Sequence, residues 1–366
     1  MSGGATAAGT AAYRDTHQEL PAAHFRTLGG LVVSSIGLGT YLGDEDDAAD
    51  RGYGEAIVDA VNLGCNLIDT AINYRAQRSE RVIGQTLVAL ERELGLRRDG
   101  IVLCTKGGYI PFDGAMPVDP SAYVRDTYVR TGLLRPEDVV GGAHVMTPRW
   151  LEDQIGRSLR NLGVACIDVY YVHNPETQLA TVPRPEFLTR IRAAFECLES
   201  QVAAGRIGRY GVATWNGFRA RPDAREHLSL QELVRQAEAV AGNAHHFKVI
   251  QLPYNLAMPE AYAAATQLVD GERLTPLDAA ARFGIAVVAS ASILQGQLSR
   301  RLPQALTDAF PGLETSAQRA LQFVRSTRGI TAALVGMGDR QHAAENLAVA
   351  RTEPRPDGVD SLFTRA

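Results

Sequence analysis

The chain has 366 residues, 45% of them hydrophobic and 21% charged, which is the composition of an ordinary soluble globular protein. A formal net charge of -4 gives no electrostatic reason to expect a nucleic acid or an acidic membrane surface as partner. A chain of this length accommodates two domains or one large α/β barrel. Small neutral or acidic metabolites are compatible partners.

The start of the chain carries no targeting or membrane signal. Residues 1–13 are small and polar, without the basic start and apolar core of a secretory signal, and residues 1–24 together predict a disordered tail. No apolar run reaches membrane-spanning length, so we expect a cytoplasmic protein. The four cysteines lack the close spacing of metal ligands and are interpreted as reduced core residues, with no metal site predicted: Cys65, Cys104, Cys166 and Cys197.

From residue 25 the chain alternates between short apolar runs and helical periodicity. The pair Gly29 and Gly30 predicts a hairpin turn before the first of these runs. A proline after Thr147 and another after Thr275 predict helix starts. The predicted strands are 34–39, 66–69, 101–106, 166–173, 207–214, 249–255, 284–290 and 332–335, and the predicted helices include 54–63, 80–94, 148–161, 186–204, 230–240, 316–327 and 340–350.

Nearly continuous apolar strands that alternate with helices indicate a parallel sheet covered on its faces. Eight such units favour a closed barrel over an open doubly wound sheet. The glycines of IGLGTYLG lack the spacing of a dinucleotide-binding turn, which also counts against the open sheet. The sequence therefore predicts one domain over residues 25–366: an eight-stranded parallel β/α (TIM) barrel, with a short N-terminal hairpin and a long insertion, 107–146, after the third strand.

Four polar residues follow successive predicted strands at the end where barrel active sites form. Asp69 ends the second strand, Tyr74 lies in the loop after it, Lys106 ends the third strand and His173 ends the fourth. Neighbouring strands lie roughly 4.7 to 4.9 Å apart, so side chains at these ends can reach one another. Each residue alone is more simply a helix cap, a surface charge or a core group, but together they predict one site.

The chemistry of this set points to proton transfer. An ammonium beside a phenol favours the phenolate, and a carboxylate holds the lysine charged. Moving the pKa of a phenol from about 10 to about 7 takes roughly 4 kcal/mol, which a buried cation can supply. A histidine beside them can donate a hydrogen bond to a carbonyl oxygen. The sequence thus predicts a proton donor for carbonyl reduction, with hydride supplied by a cofactor.

Three segments that carry these residues, IDTAINY, VLCTKGG and DVYYVHNPE, resemble segments of the aldo-keto reductase superfamily. The resemblance extends over most of the chain, from about residue 25 to about 350. It implies a barrel that binds a nicotinamide cofactor in extended form. It also implies that Tyr74 is the general acid, that His173 orients the carbonyl, and that Lys106 and Asp69 tune the phenol.

The same resemblance implies further cofactor contacts. Gln251 would hydrogen-bond the nicotinamide carboxamide, and Glu345 and Asn346 would contact the adenine end. NADP is the expected cofactor on family grounds, with NAD as the alternative. At other cofactor positions the chain departs from the commonest family residues, with Thr214 after the fifth strand, Ser290 where an aromatic ring often stacks, Gly336 in place of a lysine, and Arg340 and His342 nearby.

Several points stay open at the level of sequence. The insertion 107–146 is interpreted as a partial lid, with a peripheral or oligomer contact as the alternative, and Trp215 is either a pocket wall or a packing residue. The expected partner is a small carbonyl or alcohol, including sugars, and a homo-oligomer is left open. Two rival functions are a nicotinamide-binding regulatory or redox-sensing barrel and an aldolase that forms a Schiff base on Lys106.

Overall fold

The computed structural model describes residues 3–300 and 302–364. Eight parallel strands close into a barrel, each pairing with the next in the chain and the last with the first. We number them β1 Ile36–Gly39, β2 Leu67–Asp69, β3 Val102–Gly107, β4 Ile167–His173, β5 Ile207–Ala213, β6 Phe247–Pro253, β7 Ala286–Ser290 and β8 Ile330–Gly336. The predicted β/α barrel is confirmed, with strand ends that differ from the prediction by one or two residues at most positions.

Helices surround the barrel and connect its strands. The α-helices of six or more residues in the described part of the chain are α1 Ala7–Asp15, α2 Asp47–Asn62, α3 Arg78–Leu94, α4 Pro148–Leu162, α5 Arg184–Ala203, α6 Leu230–Ala241, α7 Pro276–Arg282, α8 Gln304–Ala309, α9 Ser316–Ser326, α10 Arg340–Leu347 and α11 Pro356–Phe363. Local sequence sets several of their ends. Pro148 occupies the first turn of α4, and Gly163 ends that helix in the left-handed conformation at φ 62°. No helix in the described part of the chain is long and apolar enough to cross a membrane.

Apolar side chains fill both surfaces of the barrel. One cluster lies between the strands and the surrounding helices, and a second fills the barrel interior with residues such as Val102, Val169 and Val249. The predicted hairpin is present as Phe25–Leu28 paired with Leu31–Ser34. Its buried side chains join the interior cluster, so the hairpin closes one end of the barrel. The candidate site lies at the opposite end of the barrel.

The prediction of a disordered tail is wrong for the described residues 3–24, because α1 packs against the barrel. Thr6 caps this helix by accepting a hydrogen bond from the Gly9 backbone N–H at 2.9 Å. The buried Tyr13 donates from its hydroxyl to the Val61 carbonyl at 2.5 Å. A Cβ at Gly9 would lie 2.4 Å from the carbonyl oxygen of Asp99, so the small residues that suggested disorder allow close packing. Residues 1 and 2 lie outside the described chain.

The insertion 107–146 is also more ordered than its composition indicated. It contains a short helix, Pro120–Val124, continued by a single wider turn, Arg125–Val129. Its apolar side chains form a separate buried cluster with the first turn of α4, made of Tyr128, Leu134, Val145 and Trp150. A second short hairpin, Gln267–Val269 with Glu272–Leu274, was likewise not predicted. Most of the insertion therefore packs on itself and on α4.

Candidate active site

The structure brings Asp69, Tyr74, Lys106 and His173 together at one end of the barrel. Asp69 is the last residue of β2 and His173 the last of β4, while Lys106 precedes the final residue of β3. Parallel pairing of these three strands places their carboxyl ends side by side. Tyr74 follows in the loop after β2. The convergence arises because every strand of a parallel barrel points its carboxyl end the same way.

Lys106 lies at the centre of this group, with only 1% of its surface exposed. Its ammonium donates to Asp69 Oδ1 at 2.5 Å, to the Thr70 carbonyl at 2.8 Å and to the Tyr74 hydroxyl at 3.3 Å. These three contacts use all three ammonium donors. The lysine is consequently fixed as a bridge between a carboxylate and a phenol.

Gln251 completes the hydrogen bonding of Asp69. Its side-chain amide, on β6, donates to Asp69 Oδ2 at 2.8 Å. Both Asp69 oxygens thus have partners, as a buried carboxylate requires. Asp69 itself is 4% exposed. In this structure the amide nitrogen of Gln251 orients Asp69, which is a role that the resemblance did not assign to it.

The buried setting shifts the pKa of each group. Burial lowers the pKa of Lys106, but Asp69 and Tyr74 outweigh it and the net direction is upward, so the lysine stays charged. Burial raises the pKa of Asp69, against the opposing influence of Lys106 and Gln251.

For Tyr74 the net direction is opposite to the sequence-based expectation. Burial raises the pKa of its phenol and outweighs the lowering influence of Lys106. The lysine acts in the expected direction, but the expectation of a net lowered pKa is wrong. The phenol therefore stays protonated at neutral pH.

His173 is held as a neutral imidazole beside Tyr74. Their ring centroids lie 5.9 Å apart in an edge-to-face arrangement. Burial, Lys106 and His144 together lower the pKa of His173 well below its usual value. Its Nδ1 is buried without a hydrogen-bond partner among the described residues. A neutral ring can donate one hydrogen bond to a substrate oxygen without adding a charge.

Two aromatic residues of the insertion, Tyr109 and His144, contact His173. The sequence analysis did not assign this role to either of them. His144 donates from Nε2 to the His173 carbonyl at 2.7 Å and faces Gln178 through Nδ1 at 2.8 Å. Burial lowers the pKa of His144 to about 4. Tyr109 packs edge-to-face against both rings, at 5.1 Å from His173 and 5.2 Å from His144. The one sign of these roles in the sequence was Tyr109 itself, an aromatic residue two positions beyond the end of β3.

A cavity of about 1010 Å³ opens above this group and extends to α10. Of the seven residues expected to hold a cofactor, six line it: Gln251, Thr214, Ser290, Gly336, Glu345 and Asn346. Arg340 is not among the lining residues. Its guanidinium instead pairs with Asp59 of α2, with Nε 2.7 Å from Oδ2. His342 lines the cavity and pairs with Asp339 at 3.0 Å.

A second cavity of about 440 Å³ adjoins the first. The two share Tyr109, Asn174 and Trp215 as lining residues, and the Trp215 side chain is 42% exposed. Trp215 is therefore a pocket wall. Tyr109 is the one residue of 107–146 among those that line either cavity, and the role of the insertion as a partial lid stays a prediction.

The loop between these cavities is ordered by Glu176. This buried carboxylate accepts hydrogen bonds through Oε1 from the backbone N–H groups of Trp215 at 2.6 Å and Asn216 at 3.1 Å. Burial raises the pKa of Glu176, and these backbone donors oppose it. The sequence segment HNPE showed the acid but not its partners, because they follow a different strand.

The profile of the aldo/keto reductase family matches residues 35–307. The chain belongs to the aldo/keto reductase family. Among solved structures, an aldo/keto reductase from Klebsiella pneumoniae, in complex with NADP and acetate, superimposes with a TM-score of 0.61. That match covers 93% of this chain and 95% of the other at 20% sequence identity, and it shows a shared fold.

Two relatives in sequence carry different names. The NADH-specific methylglyoxal reductase of Escherichia coli is 27% identical over 214 residues, covering 56% of this chain and 54% of the relative. A Schizosaccharomyces pombe protein is 29% identical over 206 residues, covering 56% and 48%, and is named provisionally as a voltage-gated potassium channel subunit beta. The chain thus spans about half the length of the curated relatives that it matches.

Proposed function

We propose that this aldo/keto reductase interconverts a carbonyl compound and its alcohol, with Tyr74 as the proton donor and acceptor. One observation carries the proposal: the Lys106 ammonium contacts both the Asp69 carboxylate and the Tyr74 hydroxyl. A buried cation at 3.3 Å from a phenolic oxygen stabilises the phenolate that remains after the proton has left. The arrangement thus favours proton transfer from Tyr74 to a substrate oxygen.

In the reducing direction, the substrate carbonyl lies in the cavity near Tyr74 and His173. Tyr74 enters the reaction protonated, because its pKa is raised. His173 enters neutral and donates one hydrogen bond that fixes the carbonyl. When the proton leaves the phenol, Lys106 offsets the negative charge, and Asp69 keeps the lysine in place. In the oxidising direction the same phenolate accepts the alcohol proton.

A nicotinamide cofactor would supply or accept the hydride, since no side chain carries one. The donor set of the larger cavity fits such a group. Thr214, directly after β5, and Ser290, at the end of β7, provide hydroxyls, and Asn346 and Glu345 of α10 provide an amide and a carboxylate. A Cβ built at Gly336 meets no atom within 4 Å, which leaves room beside β8. NADPH is our first candidate on family grounds, with NADH as the alternative.

The Schiff-base alternative is disfavoured by the surroundings of Lys106. An aldolase lysine has to reach the carbonyl as a free amine. Here the lysine is 1% exposed, does not line either cavity and has a raised pKa. Its three donors are already used. Borohydride in the presence of a carbonyl substrate should therefore leave Lys106 unmodified.

The regulatory alternative draws support from the relative that is named as a channel subunit. It predicts cofactor binding without turnover. The intact contact between Lys106 and Tyr74 favours turnover instead, because a binding role does not require a buried phenol beside an ammonium.

The space for a substrate comes from two adjoining cavities. Trp215 forms part of the wall of both, and together they can hold a small carbonyl, alcohol or sugar.

The test is the substitution Tyr74→Phe, assayed with NADPH and with NADH. Methylglyoxal and 4-nitrobenzaldehyde serve as carbonyl probes. We expect kcat to fall by about 10²- to 10⁴-fold, while cofactor affinity measured by fluorescence titration is retained. Unaltered turnover in the variant would refute the proposal. Cofactor binding by the unsubstituted protein without turnover of these probes or of a panel of aldoses would favour the regulatory alternative.

A further inference from the structure

The backbone directly after Tyr74 adopts an unusual conformation. Arg75, Ala76 and Gln77 have φ values of 48°, 50° and 72°, all in the left-handed region, and none of them is glycine. A side chain with a Cβ disfavours this region, so each of the three residues costs free energy. Strain of this kind persists only where surrounding contacts hold it. The three residues, which we call the left-handed segment, therefore need anchors.

The first anchor is the side chain of Arg75, which is buried. Its guanidinium donates to Asp50 Oδ1 at 2.6 Å and to the backbone carbonyls of Asp44 at 2.8 Å and Asp46 at 3.2 Å. It also lies over the Tyr53 ring, at 5.4 Å from the centroid. These contacts tie the left-handed segment to the start of α2 and to the loop that precedes it.

The second anchor comes from the insertion. The Ala76 carbonyl accepts a hydrogen bond from the Gly114 backbone N–H at 2.8 Å. The Gln77 side chain donates to the Phe112 carbonyl at 2.7 Å and accepts from Asn161 of α4 at 3.1 Å. The left-handed segment is thus held on its other side by the insertion and by α4.

We propose that Arg75, together with the insertion contacts at Phe112 and Gly114, is a positioning device that holds the Tyr74 phenol against Lys106. This inference rests on the proposed role of Tyr74. If the left-handed segment relaxed to an ordinary backbone conformation, the chain would change direction immediately after Tyr74. The 3.3 Å contact from Lys106 to its hydroxyl would then lengthen. The insertion accordingly influences the position of Tyr74 through the backbone of the left-handed segment.

Arg78 offers a matched control. It lies three residues further on and pairs with the same carboxylate, with its Nη2 2.5 Å from Asp50 Oδ2. Its backbone is ordinary right-handed helix, at φ -63° and ψ -36°. Removing Arg78 therefore deletes its charge pairs to Asp50 and Asp47 without removing an anchor of the left-handed segment.

The experiment compares Arg75→Met with Arg78→Met in the full chain. We expect kcat to fall by about 10- to 100-fold in Arg75→Met, because a misplaced catalytic group costs a factor of that order. In Arg78→Met we expect kcat within about twofold of the unsubstituted protein. Cofactor affinity, measured by fluorescence titration, reports whether Arg75→Met is folded. Equal kcat values in the two variants would overturn the proposal.

The pH profile separates positioning from a general loss of structure. Moving the phenol away from Lys106 removes an influence that lowers its pKa. The apparent pKa in the pH profile of alcohol oxidation should therefore shift upward in Arg75→Met and stay in place in Arg78→Met. A fall in kcat without this shift would contradict a positioning role.

Two further variants keep the test decisive if Arg75→Met does not fold. Arg75→Lys retains the charge but cannot span the three acceptors, and we expect an intermediate kcat. Gln77→Met removes only the side-chain bonds of the second anchor, to Phe112 and Asn161, and should shift the pH profile in the same direction. An unshifted profile in both variants would refute the proposal. Retained turnover in Tyr74→Phe would refute the proposed function itself, and this is a separate result.

Discussion

Lys106 and Asp69 form a buried ion pair, with the ammonium nitrogen 2.5 Å from Oδ1, and the same nitrogen reaches the phenol of Tyr74. Removing either partner of the pair leaves the other as a buried charge without its counter-ion. The pair is consequently both a stabilising contact and the origin of the chemistry that we propose. Its two roles can be measured separately.

The first prediction concerns stability. Lys106→Met should lower the free energy of unfolding by about 3 to 5 kcal/mol, because it leaves Asp69 as an unpaired buried charge. Lys106→Met combined with Asp69→Asn removes that charge and should recover part of the loss. Denaturant titrations of the single and double variants measure the difference. Additive losses in the double variant would show that the two residues do not depend on each other.

The second prediction concerns pH. The pKa of Tyr74 is raised from its ordinary value near 10, so the phenol is protonated throughout the neutral range. The pKa of His173 is lowered, so its ring is neutral there. Carbonyl reduction, which uses the protonated phenol, should keep a constant kcat between about pH 7 and 9. Alcohol oxidation, which uses the phenolate, should rise with pH through the same range.

Steady-state kinetics in both directions test this prediction. A fall in the reduction rate between pH 7 and 9 would mean that the phenol titrates in that range. The pKa of Tyr74 would then be lower than its ordinary value, which contradicts the upward direction argued here. The ring of Tyr41 packs edge-to-face on Tyr74 at 5.0 Å, and Tyr41 contributes to the raised pKa of that phenol. Tyr41→Phe should therefore move the rise of alcohol oxidation to slightly lower pH, while carbonyl reduction stays constant between about pH 7 and 9.

The third prediction concerns cofactor choice. The residues that line the larger cavity include no lysine or arginine in the described part of the chain, and Arg340 is held away by Asp59. Asp59→Ala should free the Arg340 guanidinium to approach the 2′-phosphate of NADPH. We expect NADPH to bind about two- to fivefold more tightly and NADH to be unaffected, as for an exposed charge pair.

Glu55→Ala is the matched control, since it removes another exposed acid of α2 near Arg340 without releasing the pair. Fluorescence titration of both cofactors against both variants gives the comparison. An equal gain for NADH and NADPH would contradict the prediction. So would an equal effect of Glu55→Ala and Asp59→Ala.

The fourth prediction concerns the N-terminal helix α1. Tyr13 is buried and donates to the Val61 carbonyl, so Tyr13→Ala should cost about 3 to 5 kcal/mol of unfolding free energy. Arg14→Ala, which breaks only an exposed pair with Asp15, should cost no more than about 0.5 kcal/mol. Denaturant titration measures both values. Equal stability of the two variants would mean that α1 does not pack on the barrel in solution.

Part of the site could be predicted because its residues are marked locally. Asp69, Lys106 and His173 each end a short apolar run that predicts a strand, and these runs alternate with helices. Parallel pairing brings the carboxyl ends of such strands together at one end of the barrel. Tyr74 lies in the loop directly after one of these ends. The residue positions thus followed from hydrophobic periodicity, which depends only on near neighbours in the chain.

Other residues gave no such signal. Gln251 donates to Asp69 from 182 positions away, and His144 reaches His173 from an insertion that composition marked as irregular. The direction of the Tyr74 pKa was also missed, because it depends on how completely the phenol is buried. These properties depend on packing between segments that are distant in the chain.

The sequence by itself determined the barrel and the identity of the residues at its carboxyl end, since strand periodicity and strand direction are local or topological properties. Only the tertiary structure decided how those residues are held and what surrounds them. It showed that α1 is packed, that Arg340 is turned toward Asp59, and that three left-handed residues after Tyr74 are held by Arg75 and by the insertion. Burial, charge pairing and backbone strain are set by the surrounding contacts, and these contacts exist only once the chain has folded.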